Sequence, residues 1–148
     1  MRAYDVLLQG ASLTAAATAI IELTAGAARS LLVTRATLSQ QGNTTSAQQG
    51  VQLARQSTTG TNVTSPTITQ TDPSDVAATF TAKGVLTVMG TIGAVIYPDS
   101  FNWQNGWLYL PVPEERIAIT GAAFAALRTT TTPPAQTISS VIGVLEIG

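Results

Sequence analysis

Residues 30–39, SLLVTRATLS, show the type of structure that the rest of the chain repeats. Aliphatic, β-branched and small residues dominate this stretch, a composition that is typical of strands. Side chains on a strand point alternately to its two faces, so Leu32, Ala36 and Leu38 share one face. Arg35 lies on the opposite face, and the stretch therefore predicts a strand with one buried side.

The same alternation recurs on both sides of this strand. Tyr4, Val6 and Leu8 share one face of a first strand, which Gly10 is expected to end. Strands are predicted in this way over residues 3–8, 18–24, 30–39, 51–55, 107–110, 116–120 and 137–147, with two more in 76–97. About eight or nine short strands at this spacing predict an all-β fold, a single-domain antiparallel β-sandwich or barrel.

The stretch between Lys83 and Asp99 contains no charged residue. Glycines and a proline interrupt it, and it is shorter than the ~18 apolar residues of a membrane helix. It therefore predicts one or two buried strands, and no membrane association is expected for the chain.

Two alanine-rich segments fit more than one structure. In residues 12–24, aliphatic and alanine positions that include Ala16 fit the spacing of a helix. Residues 18–24 also fit a strand with Glu22 facing outwards, and the strand is favoured because its neighbours are β-like. Residues 122–132 have the alanines of a helix, but four consecutive threonines disfavour one.

Turn-forming residues separate the predicted strands. Residues 40–50, QQGNTTSAQQG, are predicted to be a turn or loop. Residues 57–75 form a long polar segment without apolar periodicity, which predicts a long loop of functional or mobile character. Residues 98–106 predict an aromatic-bearing loop, with Asn105 and Gly106 as a tight turn.

The composition is that of a neutral, moderately apolar domain. The chain has 148 residues, the size of one domain that covers 1–148. Hydrophobic residues make up 45% and charged residues only 10%, against about 25% in typical domains, which argues against disorder. Hydroxyl and amide groups are expected to dominate the polar surface, because the chain has 24 Thr, 10 Ser and 10 Gln.

Charge and missing residue types exclude several functions. With seven basic and eight acidic residues and no basic run, the chain is not expected to bind nucleic acid. Histidine and cysteine are both absent, which removes the usual zinc ligands, thiol catalysis and every triad with a histidine base. No phosphate-binding or dinucleotide motif occurs, so no cofactor and no metal are predicted.

The acidic residues do not form a catalytic pattern. Glu114 and Glu115 point to opposite sides of an extended chain, so they predict a charged turn rather than a catalytic pair. Asp72 and Asp75 lack the spacing of a calcium loop, and Asp72 before Pro73 predicts a turn. The chain is therefore not expected to be an enzyme or to take a small-molecule substrate.

Four of the eight aromatic residues lie within nine positions. Trp107 and Tyr109 share one face of a short strand and are predicted to lie in the core. Phe101 and Trp103 fall in the predicted loop, where aromatic side chains are typical of protein or glycan contacts.

The long polar segment offers a second set of candidate contacts. Asn62, Thr64 and Thr67 lie within residues 57–75 and are predicted to contact protein or glycan. The opening and closing strands join them as candidates, because unpaired strand edges invite pairing with another chain.

Several segments, in order, carry a resemblance to a known family. They are the opening strand, residues 30–75, GWLYLPVPEERIAIT at 106–120, ALRTTTTP at 126–133 and GVLEIG at 143–148. In these segments the chain resembles small tailed-bacteriophage virion proteins of jelly-roll type, which act as capsid cement or decoration proteins.

The resemblance implies an eight-stranded jelly roll and a non-enzymatic virion structural protein. It further implies a homotrimer that binds the major capsid protein at local three-fold positions and stabilises the head. The protein would be made in the cytoplasm of the bacterial host and would end on the capsid surface of the virion. No catalytic residues carry over from this family.

A different class of function remains open from the residues alone. A carbohydrate-binding or host-attachment module of a phage tail is also built as a β-sandwich. In that alternative, Phe101 and Trp103 would stack on sugar rings.

Overall fold

The computed structural model describes residues 1–14, 19–42 and 46–148. Within these residues the chain forms twelve β-strands and one three-residue 3-10 helix, η1. They are β1 (Arg2–Leu13), β2 (Ala19–Thr24), β3 (Ser30–Gln41), β4 (Gln48–Gln56), β5 (Thr61–Thr64), β6 (Thr67–Gln70), β7 (Thr81–Val88), β8 (Ile92–Asn102), β9 (Trp107–Tyr109), η1 (Pro113–Glu115), β10 (Ile117–Thr120), β11 (Phe124–Thr129) and β12 (Gln136–Ile147). In this described part of the chain, no helix has the length and apolar character needed to cross a membrane.

The strands form two six-stranded antiparallel sheets that pack face to face. Sheet A has the order β10-β3-β12-β1-β6, and β9 also pairs with β3. Sheet B has the order β5-β7-β2-β11-β4-β8. The all-β antiparallel sandwich predicted from the alternation is confirmed.

The pairing is nested in the way that defines a jelly roll. The first strand pairs with the last, β1 with β12, and the next pair inwards is β2 with β11. Strand β3 pairs with β9 and β10, and β4 pairs with β8. Successive pairs alternate between the two sheets, so eight strand positions wind as two Greek keys. The strand count exceeds eight because one position is split into β9 and β10, and β5, β6 and β7 are inserted before β8.

The core lies between the two sheets and follows the predicted alternation. Tyr4, Val6 and Leu8 on β1 are all buried, as predicted, and so are Ile142 and Val144 on the neighbouring β12. The same holds for Val51 and Leu53 on β4 and for Ile117 and Ile119 on β10.

Strand β3 follows the predicted faces for only half of its length. Ala36 and Leu38 are buried as predicted, but Leu31 and Val33 are buried in place of the predicted Leu32. The register against β12 shifts by one residue next to Arg35. A one-residue bulge moves every following side chain to the other face, which explains the difference.

Gly10 does not end the first strand, contrary to prediction. Its φ of +63° fits a glycine bulge, and the register of β1 against β12 shifts between Leu8 and Ala11. The strand then continues, with Ala11 and Leu13 buried in the core.

Both alanine-rich segments are strands where they are described. Residues 19–24 form β2, as favoured, while Ala16 lies outside the described residues. Residues 124–129 form β11 at the centre of sheet B rather than a helix. Both strands are buried on both faces, which explains why their sequences lack a polar alternation.

The prediction of one long loop over residues 57–75 is wrong. The segment contains β5, which pairs with β7 in sheet B, and β6, which pairs with β1 in sheet A. In β6 the threonines form the exposed face and Ile68 and Gln70 the partly covered one, whereas in β5 the exposed face carries Thr61 and Val63.

Two crossing segments, residues 57–60 and 89–91, cover the outer face of sheet B and are called the strap. The order of sheet B separates β4 from β5 by four strand spacings, roughly 19 Å, which the first segment must span. The second segment returns from β7 to β8. The Ser57 amide donates to the Thr91 carbonyl at 2.9 Å, and the Thr91 amide donates to Thr58 Oγ1 at 2.8 Å.

The strap depends on a glycine for the closest approach of its two segments. A Cβ on Gly90 would lie 1.9 Å from the Thr58 carbonyl oxygen, so no other residue fits this backbone.

Glu22 was expected to face solvent, and this prediction is wrong. Its side chain does lie on the opposite face from Ile21, but the strap covers it and its exposure is 0%. The carboxylate accepts hydrogen bonds from Thr59 Oγ1 at 2.5 Å and from the Gly60 amide at 2.9 Å. Lys83 Nζ donates to Thr59 Oγ1 and to the Gly60 carbonyl, both at 2.6 Å.

Candidate interaction surfaces

Phe101 and Trp103 were predicted to be exposed loop contacts, and this placement is wrong. Strand β8 continues through Pro98 to Asn102, and Trp103 follows directly. Phe101 is 7% exposed and Trp103 is 0% exposed, and their rings meet edge to face with centroids 4.8 Å apart. Their even spacing from Tyr97 was a signal that the strand continues with these side chains pointing into the core.

Trp107 and Tyr109 lie in the core, as predicted. Trp107 Nε1 donates to Asp99 Oδ2 at 2.9 Å, and the Tyr109 ring packs against Tyr97 at 4.8 Å. These contacts join β9 of sheet A to β8 of sheet B. Burial, together with the nearby Glu115 and Tyr97, raises the pKa of Tyr109.

The predicted polar contact residues lie at the opposite edge of the sandwich. Thr64 and Thr67 line a surface groove of about 340 Å³ together with Leu7, Leu8, Gln9 and Ser65. Asn62 does not line this groove itself, but it donates to Oγ of the lining residue Ser65 at 3.3 Å. The structure therefore groups two of the three residues, and their role in binding stays a prediction.

The acidic residues predicted to lie in turns, Asp72, Glu114 and Glu115, do so. Glu114 and Glu115 form η1 after Pro113 and are exposed. The Ser74 amide and hydroxyl both donate to Asp72 Oδ1, at 2.9 and 2.8 Å, and these bonds lower the pKa of Asp72. Within residues 1–14, 19–42 and 46–148, no three acidic side chains come together as metal ligands would.

Exposed apolar residues, which the sequence did not predict, lie along the edge formed by β8 and β9. Residues 92–100 of β8 are all exposed, although residues up to 97 were expected to belong to buried strands. The edge patch is defined as Ile92, Val95, Ile96, Tyr97, Leu108, Leu110 and Val112, which are between 36% and 70% exposed. Its members do not share one face: the strand pairing places Ile92 and Val95 on the outer face of sheet B, whereas Leu108 lies on the outer face of sheet A, between the buried Trp107 and Tyr109.

The exposed area of the edge-patch residues is ordinary for a free surface. Taking about 150 Å² for each fully exposed large apolar side chain, the measured exposures amount to roughly 500 Å². Typical monomers have a largest apolar patch of about 300–600 Å², which is often functional. The summed area is therefore no larger than the largest apolar patch of a typical monomer.

The space behind the edge patch is not a ligand cavity. Ile96 lies over an apolar crevice between the sheets, which Ile117, Ile119 and Leu127 also line. Its internal volume of about 10 Å³ is barely that of one water molecule. Any partner of this edge therefore contacts its surface.

The backbone of β8 opposes the addition of another strand. Pro98 lacks an amide hydrogen, and the register against β4 shifts twice, on both sides of Ala54. Proline and bulges on an edge strand are the devices by which proteins block edge-to-edge pairing. The edge patch is thus suited to side-chain packing and unsuited to sheet extension.

The outer face of sheet A is a second open surface. Arg35 Nη2 lies 2.9 Å from Asp5 Oδ2 across Gly143 of the central strand β12. Half-buried apolar residues flank this exposed ion pair, among them Leu7 and Val141, which are direct neighbours in the sheet. The ion pair leaves this face without net charge at its centre, and its apolar residues are less exposed than those of the edge patch.

No protein-family model, curated protein sequence or solved structure matches the chain.

Proposed function

We propose that the chain is a non-enzymatic virion structural protein of a tailed bacteriophage, a capsid cement or decoration protein. In this role it binds the major capsid protein at the capsid surface and stabilises the head. The exposed apolar residues along the β8–β9 edge carry the proposal, because a neighbouring protein subunit can cover them without opening the sandwich. The jelly-roll winding, which is frequent in viral capsid proteins, supports it.

The energy of such a surface suits a protein that acts in many copies. At about 25 cal/mol per Å², burial of all the edge-patch residues contributes at most roughly 12 kcal/mol before costs. Association itself costs about 4–15 kcal/mol, so one contact of this size gives modest net binding. Repetition over a capsid converts modest contacts into cohesion, because a bound copy that touches two capsomers opposes their separation.

The carbohydrate-binding alternative loses its structural basis. It required Phe101 and Trp103 to present their rings to a sugar, and both side chains are buried between the sheets. A glycan cannot stack on a ring that is 0% exposed without opening the sandwich.

Capsid binding provides the test of this proposal. Purified chain is added to capsids of the phage that encodes it, prepared from a mutant that lacks the protein. We expect saturable co-sedimentation and a higher temperature of DNA release from the loaded particles. Particles that neither bind the chain nor gain heat resistance contradict the proposal.

A further inference from the structure

We infer that the open half of β1 is an acceptor site for an extended, uncharged peptide segment of another protein, which adds to sheet A as one further strand. The site is called the vacant strand position. It lies beside residues 8–13 of β1, in line with β6 and above β5. Such a site goes beyond the proposed function and does not rest on it, because none of the edge-patch residues takes part.

Strand β1 is paired on both sides for only the first half of its length. Strand β12 pairs with it from Arg2 to Leu13, whereas β6 pairs with it only from Tyr4 to Leu7. Among the described residues, no strand pairs with residues 8–13 on the side of β6. These residues therefore form a free sheet edge roughly 16 Å long.

The pairing of the first half of β1 shows where the backbone groups of the second half point. The Thr71 amide donates to the Ala3 carbonyl at 2.9 Å, so Ala3 directs its backbone groups to the side of β6. Alternate residues of a strand direct theirs to the same side, which places the amide and carbonyl of Gln9 at the free edge. Both groups are thus directed towards a further strand.

The bulge at Gly10 makes Ser12 the second residue that points out of this edge. The Gly10 amide is directed to β12, where it donates to Ser139 Oγ at 3.3 Å. The register against β12 shifts by one residue at this point, so Ser12 takes the outward position that Ala11 would otherwise have. Gln9 and Ser12 are both exposed, in agreement with an open edge.

Strand β5 lies beneath the free edge. The rings of Tyr4 and Phe80 meet with centroids 5.5 Å apart, and a Cβ on Gly84 would lie 2.9 Å from Leu8 Cδ1. These two contacts show that β7 runs across the core in the same direction as β1. Beyond Gly84 the neighbour of β7 in sheet B is β5. Sheet B therefore has a strand at the level where sheet A has none.

A groove of about 340 Å³ is the space that the missing strand would fill. Residues of β1 form its wall, the end of β5 and the turn after it form its floor, and the first residue of β6 closes one end. In that order, these residues are Leu7, Leu8 and Gln9, then Thr64 and Ser65, then Thr67.

Neither the groove nor the free edge carries a charge. The six residues that line the groove are neutral, and residues 6–21 contain no charged residue and no proline. Natural edge strands often carry a charge or a proline that prevents further pairing, as Pro98 does on β8. Without these devices, the edge of β1 is suited to a segment that binds through its backbone and carries neutral side chains.

A second copy of this chain does not fit the vacant strand position. Any edge strand of a second sandwich brings its opposing sheet with it, and the place beneath the vacant position is already taken by β5. An extended segment without a second layer fits this step between the sheets. In strand addition of this kind, main-chain hydrogen bonds give affinity and the groove selects the side chains.

Amide hydrogen exchange of the full chain, measured without capsids, tests the site. The probe is a capped peptide, TITQTITQ, which repeats the β6 sequence that already pairs with the first half of β1. In the free protein, the amides of Gln9 and Ser12 should exchange faster than those of Ala11 and Leu13, which are directed to β12. Millimolar peptide is expected to slow both outward amides about tenfold or more, in a saturable manner. Unchanged exchange of both, or protection of the β8–β9 edge instead, overturns the inference.

Two variants close the site in different ways. Ser12→Pro removes an outward amide, and Thr64→Phe fills the floor of the groove without altering β1. Each is expected to weaken peptide binding about tenfold or more, and Thr64→Phe keeps the test decisive if Ser12→Pro does not fold. Val63→Phe is the matched control, because Val63 is 64% exposed on the other face of β5, and it should bind as the unmodified protein does.

Equal binding by the unmodified chain and by Thr64→Phe contradicts the site. Capsids take no part in this experiment, so its failure leaves the proposed function intact. A chain that fails to bind capsids but accepts the peptide would overturn the proposed function and leave the vacant strand position in place.

Discussion

Replacing Trp103 with alanine is expected to lower the free energy of unfolding by roughly 3–5 kcal/mol, the cost of removing a large buried aromatic side chain. Trp103 is 0% exposed and is the largest fully buried side chain of the domain. Its ring packs on Phe101, so truncation also leaves a neighbouring aromatic ring partly uncovered. The effect is one of stability, and no binding partner is needed to observe it.

Urea denaturation of matched variants measures this effect. Trp103→Phe is expected to lower the free energy of unfolding by less than Trp103→Ala. It keeps an aromatic ring and removes an indole N–H that has no partner among the described residues. Leu110→Ala, at a side chain that is 70% exposed, is expected to change stability by no more than about 0.5 kcal/mol. If Trp103→Ala left the free energy of unfolding unchanged, burial of Trp103 in the core would be contradicted, and the sequence-based expectation of a surface contact would stand.

Replacing Glu22 with alanine is expected to cost about 3 kcal/mol, because it removes the buried acceptor that holds the strap on sheet B. The Gly60 amide loses its acceptor beneath the strap, and the Thr59 hydroxyl loses the carboxylate to which it donates. Lys83, which is only half-buried, keeps its bonds to Thr59 and Gly60 but loses the carboxylate that shares Thr59 Oγ1 with it. The loss should therefore exceed that of any single exposed ion pair, such as the one between Arg35 and Asp5.

Hydrogen exchange locates this effect in the structure. In Glu22→Ala, amides of residues 57–60 and 89–91 should lose protection before those of β1 and β12, whose pairing does not involve the strap. Glu114→Gln removes an exposed carboxylate from η1 and serves as the control, with exchange expected to stay unchanged. Uniform loss of protection over both sheets would show that Glu22 supports the whole core rather than the strap.

The sequence alone was sufficient to predict the class of fold and the position of most strands. Alternation placed Tyr4, Val6 and Leu8 on one buried face of β1, and it placed Ile117 and Ile119 together on one buried face of β10. This works because the two-residue period of a strand is a local property of the backbone, independent of what the strand packs on.

The tertiary structure decided where that period is interrupted. The bulges at Gly10 and beside Arg35 change which face is buried, and both appear only as register shifts against β12. A bulge depends on the partner strand as well as on its own sequence, so the alternation of a single strand does not reveal it.

The tertiary structure also decided which faces are covered. Glu22 has the alternation of an outward residue but lies beneath the strap, while the apolar residues of β8 have the composition of a core strand but lie on an open edge. Alternation tells which residues share a face, and the sheet order tells whether anything lies on that face. The sequence by itself therefore determined the strands and the sandwich, and only the packing of distant segments determined the strap, the buried tryptophan and the edge patch.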